Sequence, residues 1–286
     1  MKLSFSTLGC PTWDLDTVIK KAKAYGFEGV EIRGIKDQLD VTQLPEFTTQ
    51  SKQTKQKFSD AGIEIVCFSS SVRMSEPDKV KRGEYLEELK RYAEVCEIFD
   101  TPCIRIFGGE IGELSWEQAL DEAAETLEKM IKIIRDVDAK IVIETHDDWM
   151  SCDHFKLLME KVNSEKVGIL WDVNHPFMFI GEDPVETWEM TGRWIYHTHW
   201  KDSKIAIDTV MGFEPCLMGE GDLPHEQIYD VLKNGGYNGY LSLEWEKRWH
   251  PELPDPEIAF PQYFRYMKNL MNLNQNKPEP KKDLNR

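Results

Sequence analysis

Short, mainly apolar runs recur along the chain, and each of the last four ends abruptly in an acid or a histidine. These runs are residues 141–143, 167–171, 194–198 and 240–243, and the residues that end them are Glu144, Asp172, His199 and Glu244. Continuous apolar runs are typical of strands that are buried on both faces in a parallel sheet. The pattern therefore predicts four buried strands whose carboxyl ends carry ionisable side chains.

Four further strand signals precede these runs, and segments with helical spacing alternate with the strands. The earlier strands are predicted at residues 2–7, 28–33, 63–68 and 103–107, and the clearest helices at 14–25, 50–61, 78–98, 116–137 and 256–273. Asp14 is placed to cap the first of these helices, and Ser115 with Gln118 gives a capping-box start. Eight strands that alternate with helices predict a parallel sheet closed into a (β/α)8 TIM barrel.

Length and spacing favour a single α/β domain over residues 1–273. No linker rich in Pro, Gly or Ser divides the chain of 286 residues, and barrels of about 250 residues form one domain. Glu244 follows His199 by 45 residues (244 − 199), whereas one unit of such a barrel takes about 31. The excess predicts a long loop at 203–223, which is either functional or disordered. The polar residues 274–286 predict a disordered tail.

Composition narrows the classes of partner and the cellular location. The formal net charge of −16 repels a phosphate backbone, so nucleic-acid binding is not expected. The absence of a run of about 18 apolar residues predicts no membrane span. The N-terminus enters a strand directly and lacks signal-peptide features, which predicts a cytoplasmic protein. The six cysteines include no C-x-x-C pair, so we expect reduced, mostly buried thiols.

Glu144, Asp172, His199 and Glu244 predict a metal site at one end of the barrel. Parallel strands point the same way, so their carboxyl ends surround one opening. Three carboxylates and one imidazole form an oxygen-rich ligand set that suits Mn²⁺ or Mg²⁺ and also admits Co²⁺ or Zn²⁺. A divalent cation would offset the charge of three buried carboxylates. We take Mn²⁺ as the preferred ion.

Neighbouring residues are expected to contact the substrate at the same opening. His146 lies two residues after Glu144 and therefore points the same way, either as a catalytic acid or base or as a group that orients a ligand. Lys201 follows the seventh strand, while Glu31 and Arg33 end the second. We predict that these last three residues bind substrate, although Lys201 could cap its loop and Glu31 could bond within the barrel.

Four segments resemble, in order and spacing, the sugar-phosphate isomerase/epimerase superfamily of xylose-isomerase-like barrels. They are residues 144–146 (ETH), 172–175 (DVNH), 199–202 (HWKD) and 244–246 (EWE), and residues 5–9 and 26–32 resemble the first two strands. The resemblance covers residues 3–270. It implies that Glu144, Asp172, His199 and Glu244 hold the metal, that the two glutamates are the acid/base pair, and that His175 contacts substrate oxygens. It also implies a homodimer or homotetramer.

The chemistry that follows is proton abstraction α to a carbonyl, with the enediolate stabilised by the metal. Return of the proton makes the protein an isomerase or epimerase of a keto sugar or related polyol, which is our leading interpretation. Loss of a β leaving group makes it a lyase, similar to inosose dehydratases or 3-keto-glycoside-cleaving enzymes of the superfamily. An apurinic-site endonuclease is a remote alternative, because the chain has only seven histidines. A non-catalytic binding barrel is disfavoured, because the converging carboxylates would be costly to bury without a metal.

Overall fold

Parallel strands close into a barrel of eight in the computed structural model, which describes residues 1–275. The strands are β1 (Lys2–Ser6), β2 (Gly29–Ile32), β3 (Glu64–Ser75), β4 (Cys103–Gly109), β5 (Lys140–Glu144), β6 (Val167–Asp172), β7 (Ile195–Trp200), β8 (Asp202–Ile205), β9 (Phe213–Cys216) and β10 (Tyr240–Leu243). Strands β1 to β7 and β10 form the barrel, which closes by parallel pairing of β1 with β10. The predicted (β/α)8 TIM barrel is confirmed.

Helices connect the strands and cover the outside of the barrel. They are α1 (Leu15–Tyr25), α2 (Ser51–Ala61), α3 (Lys79–Phe99), α4 (Trp116–Ile134), α5 (Cys152–Val162), α6 (His175–Ile180), α7 (Pro184–Thr191), α8 (His225–Asn234) and α9 (Pro256–Gln275). Asp14 caps α1 by accepting a hydrogen bond from the backbone N–H of Thr17. Ser115 and Gln118 form both bonds of the predicted capping box at α4. The predicted tail at 274–286 lies outside the described residues, except for the first two, which belong to α9.

Burial on both faces explains why the strand sequences are nearly continuous apolar runs. Every residue of β2 and of β6 is buried, because one face packs in the barrel and the other lies under helices. Helix α4 turns one apolar stripe towards the strands, made of Ala119, Ala123, Leu127, Met130 and Ile134. Burying each large apolar side chain contributes about 1.5–3 kcal/mol. This packing holds the strand ends in fixed positions.

Two regions differ from the elements predicted by pattern. Strand β3 continues to Ser75, whereas the sequence pattern predicted that it ends at residue 68. The prediction was too short because the polar segment Ser69–Ser71 does not resemble a buried strand. The pairing of β3 with β4 shifts between Ser69 and Arg73. The predicted long loop after β7 contains the antiparallel hairpin β8–β9. Among residues 1–275, no helix is both long and apolar enough to cross a membrane.

Candidate metal centre

Four ionisable side chains meet at the carboxyl end of the barrel. Glu144 and Asp172 are the last residues of β5 and β6, His199 lies in β7, and Glu244 follows β10. Each offers one ligand atom, and these four atoms all lie within 4.8 Å of one another. All four residues are buried. The structure therefore brings together the four residues that the sequence predicts as metal ligands.

Strand register brings these groups to the same level. Asp172 is paired with His199 across β6 and β7. Ser242 is paired with His199 across β10 and β7, and the backbone N–H of Glu244 donates to Trp200 O at 3.0 Å. A shift of one residue in any of these strands would turn its ligand to the other face. The cluster is thus a consequence of the parallel barrel.

The imidazole of His199 is held in one orientation by a carboxylate behind it. His199 Nε2–H donates to Glu31 Oε2 at 2.8 Å. The other ring nitrogen, Nδ1, faces inward, 3.2 Å from Glu144 Oε1 and 3.3 Å from Glu244 Oε1. A histidine that ligates a metal commonly donates its second N–H to a carboxylate in this manner. Nδ1 is therefore the atom of His199 that would bind an ion.

The two glutamates of this cluster are ionised and suited to a cation. Burial and then Glu244 would raise the pKa of Glu144, but Arg105 and His199 outweigh them and lower it. Burial would also raise the pKa of Glu244, but His199 and Lys201 lower it well below its usual range. Glu144 Oε2 is buried and accepts no hydrogen bond from the described residues. This donor set fits a divalent ion held by Glu144, Asp172, His199 Nδ1 and Glu244.

Lys201 lies beside the cluster and pairs with its carboxylates. Its Nζ is 2.6 Å from Glu244 Oε2, 2.9 Å from Asp172 Oδ2 and 2.6 Å from Glu246 Oε1. Burial would lower the pKa of Lys201, but these three acids raise it well above the usual value. The side chain is therefore charged and does more than cap its loop.

His175 links Lys201 to the strand ends. Its Nδ1–H donates to Thr145 O at 3.1 Å, so the unprotonated Nε2 faces Lys201 Nζ at 3.3 Å. Asp172 Oδ1 accepts from the backbone N–H of His175 at 3.1 Å, which leaves Oδ2 on the side of the cluster. The imidazole thus lies where it can meet a ligand, as the sequence predicts.

A cavity of about 370 Å³ opens above these groups. His146, His175, Lys201 and Glu246 line its polar side. Phe179 of α6 and the hairpin residues Met211, Phe213 and Pro215 line its apolar side. The hairpin that the sequence analysis did not resolve is therefore one wall of the opening. A cavity of this size accepts a small polyhydroxylated molecule.

His146 forms a dyad with Asp147 at this opening, and only the histidine was predicted. His146 Nδ1–H donates to Asp147 Oδ1 at 2.7 Å. Asp147 adopts a left-handed backbone conformation (φ 54°) and its Oδ2 accepts from the backbone N–H of Gly109 at 3.2 Å. Burial would lower the pKa of His146, but Asp147 and Glu144 raise it. Because Nδ1 is bonded to Asp147, Nε2 remains for proton transfer.

Glu31 and His197 lie one layer deeper than the cluster. Glu31 Oε2 accepts from Nε2–H of both His197, at 3.0 Å, and His199, while Oε1 accepts from Ser69 Oγ at 2.8 Å. Both oxygens are thus engaged, and this geometry does not favour the predicted contact of Glu31 with substrate. Cys67 also lies within ligand distance of Glu31 and His197, but their hydrogen bonds indicate a core network. His197 has the buried, bonded position expected of a core histidine.

The chain matches one family model over most of its length. The model is described as "Xylose isomerase-like TIM barrel" and matches residues 19–270. A 3-dehydroshikimate dehydratase of Bacillus anthracis is 23% identical over 252 residues, which cover 80% of this chain and 84% of that protein. An inosose dehydratase of Clostridium perfringens is 27% identical over 195 residues, which cover 61% of each chain.

Structural similarity extends over nearly the whole barrel. The crystal structure of the IolI protein with a bound zinc atom has a TM-score of 0.81 to this chain at 18% identity, and the match covers 96% of this chain and 99% of that one. At this identity the likeness shows the fold. The sequence-based choice of Mn²⁺ stays a prediction, since the ion named for this similar structure is zinc.

Proposed function

The chain belongs to the xylose isomerase-like TIM barrel family, and we propose that it is a divalent-metal-dependent enzyme that removes a proton α to the carbonyl of a polyhydroxylated ketone. The observation that carries this proposal is the buried cluster of three carboxylates and His199 Nδ1 within 4.8 Å. The two relatives described above are named as dehydratases, which remove water from their substrates. The net charge of −16 argues against an apurinic-site endonuclease.

The cluster would hold the cation and also supply the base. A bound divalent ion polarises a carbonyl and favours negative charge on its oxygen. Glu144 and Glu244 are both ionised, and each has one oxygen close to His199 Nδ1. Either carboxylate would therefore be able to accept the proton from carbon. Geometry of this type contributes to the rate through positioning as well as basicity.

Lys201 and His175 would hold the substrate oxygens. The ammonium group of Lys201 carries three donors, and it lies among Asp172, Glu244 and Glu246. Its charge would stabilise an oxyanion that develops beside the cluster. His175 Nε2 is the acceptor next to it and would orient a substrate hydroxyl. These roles agree with the substrate contacts expected from sequence.

One observation favours a lyase as the product class. His146 lines the cavity and is oriented by Asp147, so that its Nε2 can deliver a proton to a leaving hydroxyl or alkoxide. We therefore place elimination of water or of an aglycone first. Epimerisation or isomerisation is the second candidate, and the observation that favours it is the presence of two ionised glutamates, which could exchange the proton across the two faces of one carbon.

The test is proton exchange in D₂O, followed by NMR, with protein loaded with Mn²⁺ or Zn²⁺. The panel contains inososes, keto sugars, 3-keto-glycosides and 3-dehydroshikimate. For an elimination we expect loss of the hydrogen α to the carbonyl together with water or an aglycone, and deuterium enters the product at the carbon where the resulting enol is protonated. Deuterium with a new epimer or isomer would establish the second candidate. Neither exchange nor elimination on any compound with a stoichiometrically bound metal would refute the proposal, and chelator-treated protein is the control.

A further inference from the structure

Arg105 is a buried guanidinium with too few partners. It lies in β4 and is 1% exposed, with Cζ 3.9 Å from the centroid of the Phe107 ring. Its closest acid is Glu144, whose Oε2 is 3.4 Å from Nε. Within residues 1–275, Nε and Nη1 of Arg105 have no hydrogen-bond partner. Leaving a buried donor unpaired destabilises the protein, and more strongly when the donor is charged.

Arg33 repeats this situation on the neighbouring side of the barrel. It follows β2, is 6% exposed, and its Nη1 is buried without a partner among the described residues. Burial and then the charge of Arg105 lower the pKa of Arg33 to about 10. Strand register places the two residues at one level, because Arg33 follows Ile32, which pairs with Phe68, and Arg105 pairs with Ser69. Two buried like charges require an anion to balance them.

The acids that now balance Arg33 are those expected to hold the cation. Glu244 and Glu144 favour the charged form of Arg33. When both carboxylates share their charge with a divalent ion, they balance the guanidiniums less well. Glu31 cannot replace them, because its oxygens are taken by two histidines and Ser69. The loaded centre would then leave a positive region beside it.

Arg91 shows how this chain satisfies an arginine that has a structural role. Its Nη2 donates to Asp40 Oδ2 at 2.8 Å and its Nε to Thr42 Oγ1 at 3.0 Å. The side chain is also 39% exposed, so water can reach it. By contrast, Arg33 and Arg105 are buried, and Arg33 Nη1 and Arg105 Nε and Nη1 have no hydrogen-bond partner among the described residues. Ordinary core packing therefore does not account for this pair.

We propose that Arg33 and Arg105 bind an anionic substituent of the substrate, a carboxylate or a phosphate monoester, next to the metal-chelating oxygens. This inference rests on the proposed function and narrows its substrate class to acids or phosphates. Guanidinium groups recognise both anions through paired N–H donors. Neutral sugars and cyclitols would leave the two charges unbalanced.

The test uses neutral and anionic metal chelators that differ in one group. Acetohydroxamate and malonomonohydroxamate differ by a carboxylate, and glycolohydroxamate and phosphoglycolohydroxamate by a phosphate. Their dissociation constants for Mn²⁺-loaded protein are measured by calorimetry. We expect one anionic member to bind at least about tenfold more tightly than its neutral parent. The pair that shows the advantage identifies the substituent.

Variants test whether the arginines cause the tighter binding of the anionic chelator. Arg33→Met should reduce the advantage to about threefold or less, while Arg33→Lys should keep part of it. Arg193→Met removes an exposed arginine that pairs with Glu160 and should leave all affinities unchanged. Unchanged binding of the neutral parents to Arg33→Met shows that this variant is folded and loaded.

The outcomes separate this inference from the proposed function. Anionic probes that bind no better than their parents would overturn the inference and leave the metal-dependent function intact. An advantage that survives Arg33→Met would overturn it too. Failure of every hydroxamate to bind loaded protein would overturn the metal-centred function and, with it, this inference.

Discussion

Replacement of Glu31 by Gln tests whether a buried carboxylate controls the affinity of the metal centre. Glu31 Oε2 accepts from His199 Nε2–H at 2.8 Å and from His197 Nε2–H at 3.0 Å. Gln keeps the size of the side chain and one carbonyl oxygen, and its amide can donate to Ser69 Oγ. The substitution therefore removes the negative charge while the hydrogen-bond geometry can persist.

The magnitude follows from what the charge does for His199. A carboxylate partner makes the imidazole a stronger ligand and keeps the proton on Nε2, so that Nδ1 is free to bind the ion. Loss of such a partner weakens metal binding by about 10- to 100-fold, which corresponds to about 1.4–2.7 kcal/mol. We expect Glu31→Gln to lie in this range.

The assay is a competition titration of Mn²⁺ or Zn²⁺ between the protein and a chromophoric chelator. Ser69→Ala is the matched control, because it removes the hydrogen bond to Glu31 Oε1, at 2.8 Å, and a weak contact with Cys67 Sγ, and leaves both histidine bonds. We expect its affinity to change by less than about threefold. Melting of the metal-free proteins shows that each variant is folded. A folded Glu31→Gln with the wild-type metal affinity would refute the role of Glu31.

Four further predictions follow from particular contacts. Glu144→Gln and Glu244→Gln should each lower deuterium exchange by at least about 10²-fold, and full activity in either would refute the acid/base assignment. His197→Asn should lower the melting temperature and leave turnover nearly unchanged, since the residue bonds only within the core; a large loss of kcat in stable protein would contradict this. Asp147→Asn should lower kcat about tenfold with little change in KM, because His146 loses its charged partner; unchanged kcat would argue against the dyad. Burial raises the pKa of all six thiols, and only Cys216 is partly exposed, so a disulfide reagent at pH 8 should titrate at most Cys216 in native protein; rapid titration of several thiols would contradict the buried assignment.

The barrel was predictable because each buried strand has a recognisable pattern in its own short stretch of sequence. A strand buried on both faces must be almost continuously apolar, and β6 meets that condition at all six residues. Strand β3 was predicted too short because Ser69, Ser70 and Ser71 interrupt the apolar run. Two of these hydroxyl groups bond to distant partners, since Ser69 Oγ donates to Glu31 Oε1 and Ser70 Oγ to Arg105 O. Contacts between strands that are far apart in sequence cannot be seen in a local pattern.

The candidate ligands were predictable for a related reason. The last residues of all parallel strands in a barrel lie at one opening. A residue that ends a predicted strand can therefore be placed at that opening from the sequence. Asp147 was missed because its contribution depends on a left-handed turn that folds it back onto His146. Arg105 is not among the site residues predicted from the sequence, because its lack of partners is a property of the packed barrel. Residues that act through a neighbouring side chain can be identified only from the structure.

The charged groups at the carboxyl end of the barrel fall into separate sets of partners, as Glu31, Arg33 and Arg105 show. The deeper acid, Glu31, accepts hydrogen bonds from His197 and His199, and the bond to His199 Nε2–H leaves His199 Nδ1 facing the cluster. The ligand acids balance two guanidiniums until a cation arrives, and Lys201 remains paired with Glu246 on the other side. Binding of the cation and of an anionic substrate would then support each other, because each removes the imbalance that the other creates. This coupling predicts that the carboxylate or phosphate chelator raises the affinity for Mn²⁺, whereas its neutral parent does so to a smaller extent, and that Arg33→Met abolishes the difference.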